Sequence, residues 1–175
     1  MSVDSGVSIN PDCITAFNEL RLGRGKTKFI IFKIADNRRE IVVEEASMEP
    51  DYEVFRTKLE EAKDSKGNPA PRYAVYDVEF ELEGGEGKRC VFSHAGGSDL
   101  GLIPVHGADV LYRNKIVFIS WVPNETPTFW SMLYATSRQT LKNALNPHTS
   151  IHADDKAELE WKNVLSEASG RKATK

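Results

Sequence analysis

The sequence predicts an α/β fold, a single domain built on one mixed β-sheet with helices on both faces. Three observations carry that expectation. Residues 28–34 (KFIIFKI) and 114–122 (NKIVFISWV) are apolar on both faces, as strands covered from both sides are. Residues 72–83 (RYAVYDVEFELE) alternate apolar and acidic positions, the period of a strand with one wet face. Around them lie segments with the i, i+3, i+4 spacing of amphipathic helices.

In chain order, Asn10 caps a first helix, Pro11 suits its first position and Asp12 its dipole. Cys13, Phe17 and Leu20 form the buried stripe, and Gly23 ends it before a basic turn, 24–28. Strand 28–34 turns at Asp36-Asn37 into strand 40–46 (EIVVEEA). Pro50-Asp51 opens a second helix with Tyr52, Phe55, Leu59 and Ala62 on one face. A loop at 66–69 leads to strand 72–83, and Gly84-Gly85-Glu86-Gly87 turns the chain. After strand 114–122, Thr126 caps a long helix with Pro127 at its first position and Trp130, Tyr134, Leu141 and Leu145 as its stripe. Asn146-Pro147 ends it. Asp154 caps a last helix with Ala157, Trp161, Val164, Leu165 and Ala168 inward, followed by a frayed tail, 169–175.

Residues 90–113 interrupt this pattern. The 24 residues hold four of the twelve glycines, two of the four histidines and no lysine. Lys88-Arg89 and Arg113-Asn114-Lys115 read as if they should join directly. So long a loop without structure is uncommon in a compact domain. Two origins stand: a genuine hairpin insertion, or a translated retained intron. In either case the segment is expected to project from the sheet edge.

Composition narrows function. The 175 residues are 40% hydrophobic and 28% charged, with a net charge of −3, which disfavours a nucleic-acid backbone binder. Two cysteines, Cys13 and Cys90, make no disulfide framework. No secretory h-region or membrane-length apolar run is visible, so the expectation is a protein of the cell interior.

No catalytic or metal constellation stands out. His94 and His106 with Asp99 or Asp109 match no compact metal spacing, and His148 and His152 are expected in a loop after Pro147. Cys13 lies on an apolar stripe and reads as an inert thiol. Gly84–Gly87 lacks the Lys-Ser/Thr of a phosphate loop. Asp77, Glu79, Glu81 and Glu83 read as a solvated strand face. The chain is therefore expected not to be an enzyme and to need no cofactor.

Several stretches carry a resemblance: Ser5-Gly6-Val7, Phe17-Asn18-Glu19-Leu20-Arg21-Leu22-Gly23, Lys28-Phe29-Ile30-Ile31-Phe32, Glu40-Ile41-Val42-Val43, Arg72-Tyr73-Ala74-Val75-Tyr76-Asp77, Lys115-Ile116-Val117-Phe118-Ile119-Ser120-Trp121, Met132, Tyr134-Ala135-Thr136-Ser137 and residues 141–146. In order and spacing the chain resembles the actin-depolymerising factor/cofilin family over nearly its whole length, 90–113 and the tail apart. The resemblance implies one homology domain over residues 5–168, interrupted at 90–113. It implies binding to monomeric and filamentous actin, preferably in the ADP state, with severing and depolymerisation of filaments. The alternative is a non-severing, monomer-binding or adaptor module on the same fold.

The resemblance also implies site residues. Ser5, Gly6, Val7, Thr128, Phe129, Ser131, Met132, Arg138 and Lys142 match positions that contact actin, the last two also positions that meet acidic phosphoinositides. Arg113 (or Arg89) and Lys115, with the last helix, match a filament-binding surface. Ser5 matches a regulatory phosphoserine, whose added charge of about −1.5 to −2 would oppose docking. The implied state is a monomer in the cytoplasmic actin cytoskeleton, with the nucleus as a further compartment. Two departures stand out. Phe129 and Ser131 occupy positions where the family carries basic residues, and Ser166-Glu167 replaces a Glu-Arg pair.

Overall fold

Capping side chains set the ends of the helices. The computed structural model describes residues 6–23, 26–82 and 111–170. Helix α1 (Pro11–Leu22) starts where the Asn10 side chain accepts the Asp12 N–H at 2.9 Å, and it ends at Gly23, whose φ of 63° few other residues adopt easily. Helix α2 (Tyr52–Glu60) starts on Asp51, which accepts the Glu53 N–H at 2.9 Å. It stops before Ala62, so the expected fourth stripe residue lies in the following turn.

The sheet has six strands: β1 (Ser8–Ile9), β2 (Phe29–Ile34), β3 (Glu40–Ser47), β4 (Arg72–Leu82), β5 (Leu111–Trp121) and β6 (Thr149–Ala153). Their spatial order is β1-β3-β2-β4-β5-β6. The four inner strands pair antiparallel, whereas β1 on β3 and β6 on β5 are parallel, so the sheet is mixed as expected. Two strands are absent from the sequence reading. β1 is too short to show a period, and β6 arises where His148 and His152 were expected in a loop. Its TSIHA sequence gains strand form from a parallel ladder with β5, a non-local partner.

Strand β5 begins at Leu111 rather than Asn114, because its ladder with β4 continues to Leu82↔Leu111. The last three positions of the 90–113 segment are therefore paired strand. The rest of that segment, with His94, Asp99, His106 and Asp109, lies outside the described residues, as do Gly84–Gly87, Lys88 and Arg89.

Helix α3 (Thr128–Leu145) has Pro127, not Thr126, at its cap, and no side chain caps it. After β6 the chain forms a 3₁₀ turn (Lys156–Leu159) and then α4 (Trp161–Ser169), rather than one helix. Asp155, not Asp154, caps the turn in a reciprocal capping box with Glu158, and Leu159, not Ala157, is buried. Ser169 still belongs to α4 and is buried, and Gly170 closes the helix with a φ of 70°, so these first two positions of the expected tail belong to the helix and its cap.

Two apolar layers sandwich the sheet. On one face α1 and α3 pack Cys13, Phe17, Leu20, Tyr134, Leu141 and Leu145 against Ile30, Phe32, Tyr73, Val75 and Phe118. On the other, α2 and α4 pack Phe55, Leu59, Val164 and Ala168 against Phe29, Ile31, Tyr76, Val117 and Ile119. This explains the two-faced β2 and β5. Strand β4 pairs with β2 from Tyr73 to Tyr76, the Asp77 N–H still donates to the Lys28 carbonyl at 2.9 Å, and beyond that its paired strand is β5. There the acid row emerges: Glu79 is exposed and pairs with Lys28 at 2.8 Å, while Asp77 is half-buried and accepts from Asn114 at 3.2 Å.

Candidate functional site

A helix that packs by one stripe leaves the remainder of its surface available. In α3 the stripe is Tyr134, Ser137, Leu141 and Leu145. Trp130 is only half-buried, against the same apolar layer, and Ser137 takes a place the apolar periodicity could not show. Tyr134 fixes the helix to the sheet. Its Oη accepts the Ile34 N–H at 2.9 Å, and Tyr73 donates its hydroxyl to the Tyr134 carbonyl.

The first turn of α3 is the opposite case. Phe129 is 52% and Met132 64% exposed, Thr128 is exposed and Ser131 half-buried. Large apolar side chains held this open on a rigid element are typical of contact anchors. The turn carries no acidic residue and no side-chain cap, so its amide dipoles present positive potential outward.

A residue that the sequence reading missed completes this end. Arg38, at the tip of the β2–β3 hairpin, places its guanidinium carbon 4.7 Å from the Phe129 ring centre and 5.6 Å from that of Trp130. Phe129 and Trp130 meet edge-on at 5.9 Å. Such stacking contributes about 0.5–1 kcal/mol at an exposed site. The absence of basic residues at 129 and 131 was the available signal to look for a cation on another element.

The other expected site residues separate into groups. Gly6 is exposed with a φ of 66°, but Val7 is buried to 4% in the α1–α3 layer, so it anchors the arm and does not present a contact face. The Ser8 N–H donates to the Arg39 carbonyl at 2.8 Å, which ties the arm beside the hairpin that carries Arg38. Arg138 and Lys142 are half-buried one turn apart and line a shallow cleft with His152. Lys115 pairs in register with Val78, on the sheet face opposite α3. Arg113 pairs with Phe80 through the backbone. Ser5 lies outside the described residues.

The residues weighed for chemistry are engaged structurally. Cys13 is buried, donates to the Ile41 carbonyl at 3.4 Å, and has its pKa pushed up to about 11 by burial and then by Asp12 and Glu40, so the thiol stays neutral. His148 Nδ1 accepts the Ile116 N–H at 3.2 Å. No helix among the described residues is long and apolar enough to cross a membrane.

The family model for cofilin/tropomyosin-type actin-binding proteins matches residues 6–102 and 105–169. The chain belongs to the cofilin family. It is similar to the cofilin of Gibberella zeae, 36% identical over 170 residues, covering 94% of this chain and 95% of that one. It is similar also to the cofilin of Saccharomyces cerevisiae, 37% identical over 166 residues and 94% of each chain. Among solved structures, Streptomyces griseoflavus cofilin superimposes with a TM-score of 0.69 at 31% identity, covering 94% of this chain and 98% of that one. The mixed sheet flanked by helices is thus the cofilin fold, and its exposed α3 start belongs to a member of an actin-binding family.

Proposed function

We propose that this cofilin-family chain binds actin monomers and filaments and promotes filament severing and depolymerisation. The reading is supported above all by one observation. A helix clamped to its own sheet at Tyr134 leaves Phe129 and Met132 open on the N-terminal side of that clamp. Laid into the cleft between two actin subdomains, that turn works by the helix-in-groove mode, with apolar anchors at helical spacing.

The N-terminal arm, Ser5 and Gly6, adds contacts beside Thr128, Phe129, Ser131 and Met132. Arg138 and Lys142 extend the surface along α3 and give acidic phosphoinositides a competing place to dock. Arg113 and Lys115 with α4 form the second surface, needed to hold a neighbouring subunit in a filament. Two contacts on opposite sheet faces let the protein bind a lattice geometry different from the bare filament, and differential affinity then drives disassembly. Phosphate on Ser5 opposes docking. The working unit is a monomer over residues 5–168 with the 90–113 segment as an insertion, acting in the cytoplasmic actin cytoskeleton, with the nucleus as a further compartment and no covalent step.

A second reading is a monomer-binding, non-severing module. Phe129 and Ser131 in place of two cations favour it. Co-sedimentation with filamentous actin, followed by a severing assay on labelled filaments, separates the two. Pelleting with filaments and shortening them supports the first; binding monomers without pelleting supports the second.

A further inference from the structure

The exposed end of α3 borrows its cation from another element. Arg38 sits at the hairpin tip with a φ of 61°, a backbone state few arginines occupy, held by its N–H bond to the Ala35 carbonyl at 2.8 Å. That turn aims the side chain across to α3, over Phe129 at 4.7 Å and Trp130 at 5.6 Å. The guanidinium thus rests against two rings. Its N–H donors make no hydrogen bond or ion pair with any described residue, although Asp36, Asn37, Arg39 and Glu40 are its neighbours in the chain. Arg72 and Arg56, by contrast, spend their guanidinium groups within the fold: Arg72 grips Glu44, and Arg56 grips Glu53 and Glu60.

We propose that Arg38 is a specificity-determining contact for actin, receiving a carboxylate side chain of actin in a bidentate pair while Phe129 and Trp130 hold the fork in place. Resting on the reading that the α3 start faces actin, the assignment adds which residue supplies the charge there and what chemistry it reads. A planar, fixed guanidinium matches a carboxylate through two parallel N–H···O bonds, which a lysine ammonium does not reproduce. An arginine beside two aromatics, one of them a tryptophan, is also the composition in which binding energy concentrates. The charge that positions 129 and 131 lack is thereby delivered from the β2–β3 hairpin.

The test measures the affinity of ADP-loaded actin monomers for four full-length proteins. These are the wild type, Arg38→Asn, Arg38→Lys and Phe129→Ala, and the double variant Arg38→Asn/Phe129→Ala is measured as a fifth. Asparagine is chosen because it tolerates a positive φ, so the hairpin keeps its shape. Arg38→Asn is expected to weaken binding about tenfold or more. Arg38→Lys should recover only a minor part of that loss, with melting temperatures within about 4 °C of the wild type. Combining Arg38→Asn with Phe129→Ala should cost less than the sum of the two, since the ring acts partly by holding the arginine. If Phe129→Ala weakens binding and Arg38→Asn stays within twofold of the wild type, the role of Arg38 is overturned and the actin reading stands. If Arg38→Lys equals the wild type, a point charge suffices and the bidentate pair is overturned. A wild-type chain that does not bind actin overturns the actin reading, and the assignment of Arg38 with it.

Discussion

The buried N–H of Ile34 in β2 donates to the phenolic oxygen of Tyr134 in α3, at 2.9 Å and 100 residues apart in sequence. This bond joins the sheet to the helix one turn behind Trp130, so it sets where the exposed turn stands. Tyr134→Phe leaves that N–H buried without an acceptor. The expected cost is about 1–3 kcal/mol, read from urea unfolding against the wild type. The ring still fills its place, so the secondary structure seen by circular dichroism should not change.

A second cross-link lies at the bulge in β3. Ile31 pairs with Glu45 and Phe32 with Val43, so Glu44 is the extra residue, and its carboxylate meets Arg72 Nε at 2.5 Å and Nη2 at 3.0 Å. The Arg72 side chain is only 8% exposed, while Glu44 remains accessible to water on one side. Glu44→Ala strands a buried guanidinium and should cost about 3 kcal/mol, the lower end for a broken buried pair. The melting temperature reports it.

Asp77 should show a pH-linked penalty. Burial is the largest influence and raises its pKa, with Glu79 adding to it, against the opposing pull of Lys28 and the hydrogen bond from Asn114. A carboxyl whose pKa is higher folded than unfolded holds its proton better in the folded state. Stability contributed there declines as pH climbs from the unfolded value through the folded one. Asp77→Asn should therefore melt higher than the wild type at neutral pH, and the gap should close below the ordinary carboxylate value of 3.8. Thermal melts across the acidic range check it.

Ser5→Glu places a negative charge in the arm that runs up to the buried anchor Val7. Under the proposed function, a negative charge two residues before Val7 repels an acidic partner. Affinity for ADP-actin monomers should drop about tenfold, a cost of about 1.4 kcal/mol. Isothermal titration reads the change.

Local chemistry made much of the fold legible. Asn10, Pro11 and Gly23 delimit α1 because caps act through neighbouring backbone groups. The doubly apolar runs of β2 and β5 reveal strands covered on both sides. What stayed hidden depends on distant partners. β6 takes its form from β5, and its alternating polar residues after Pro147 resemble a loop. The break between the 3₁₀ turn and α4 at Glu160 falls within one continuous apolar spacing. At the site, the exposed turn of α3 could be read from the family pattern. Arg38 could not, because its role comes from a positive φ at a hairpin tip that brings it over a ring 91 positions away, a relationship absent from any local pattern.

Met132 gives the most direct measurement of whether the open turn of α3 is the face that meets actin. It is 64% exposed and makes no contribution to either apolar layer, so Met132→Glu should leave the melting temperature unchanged. Its affinity for ADP-actin monomers is expected to fall by about tenfold or more. An unchanged affinity in a protein of unchanged stability would contradict the account.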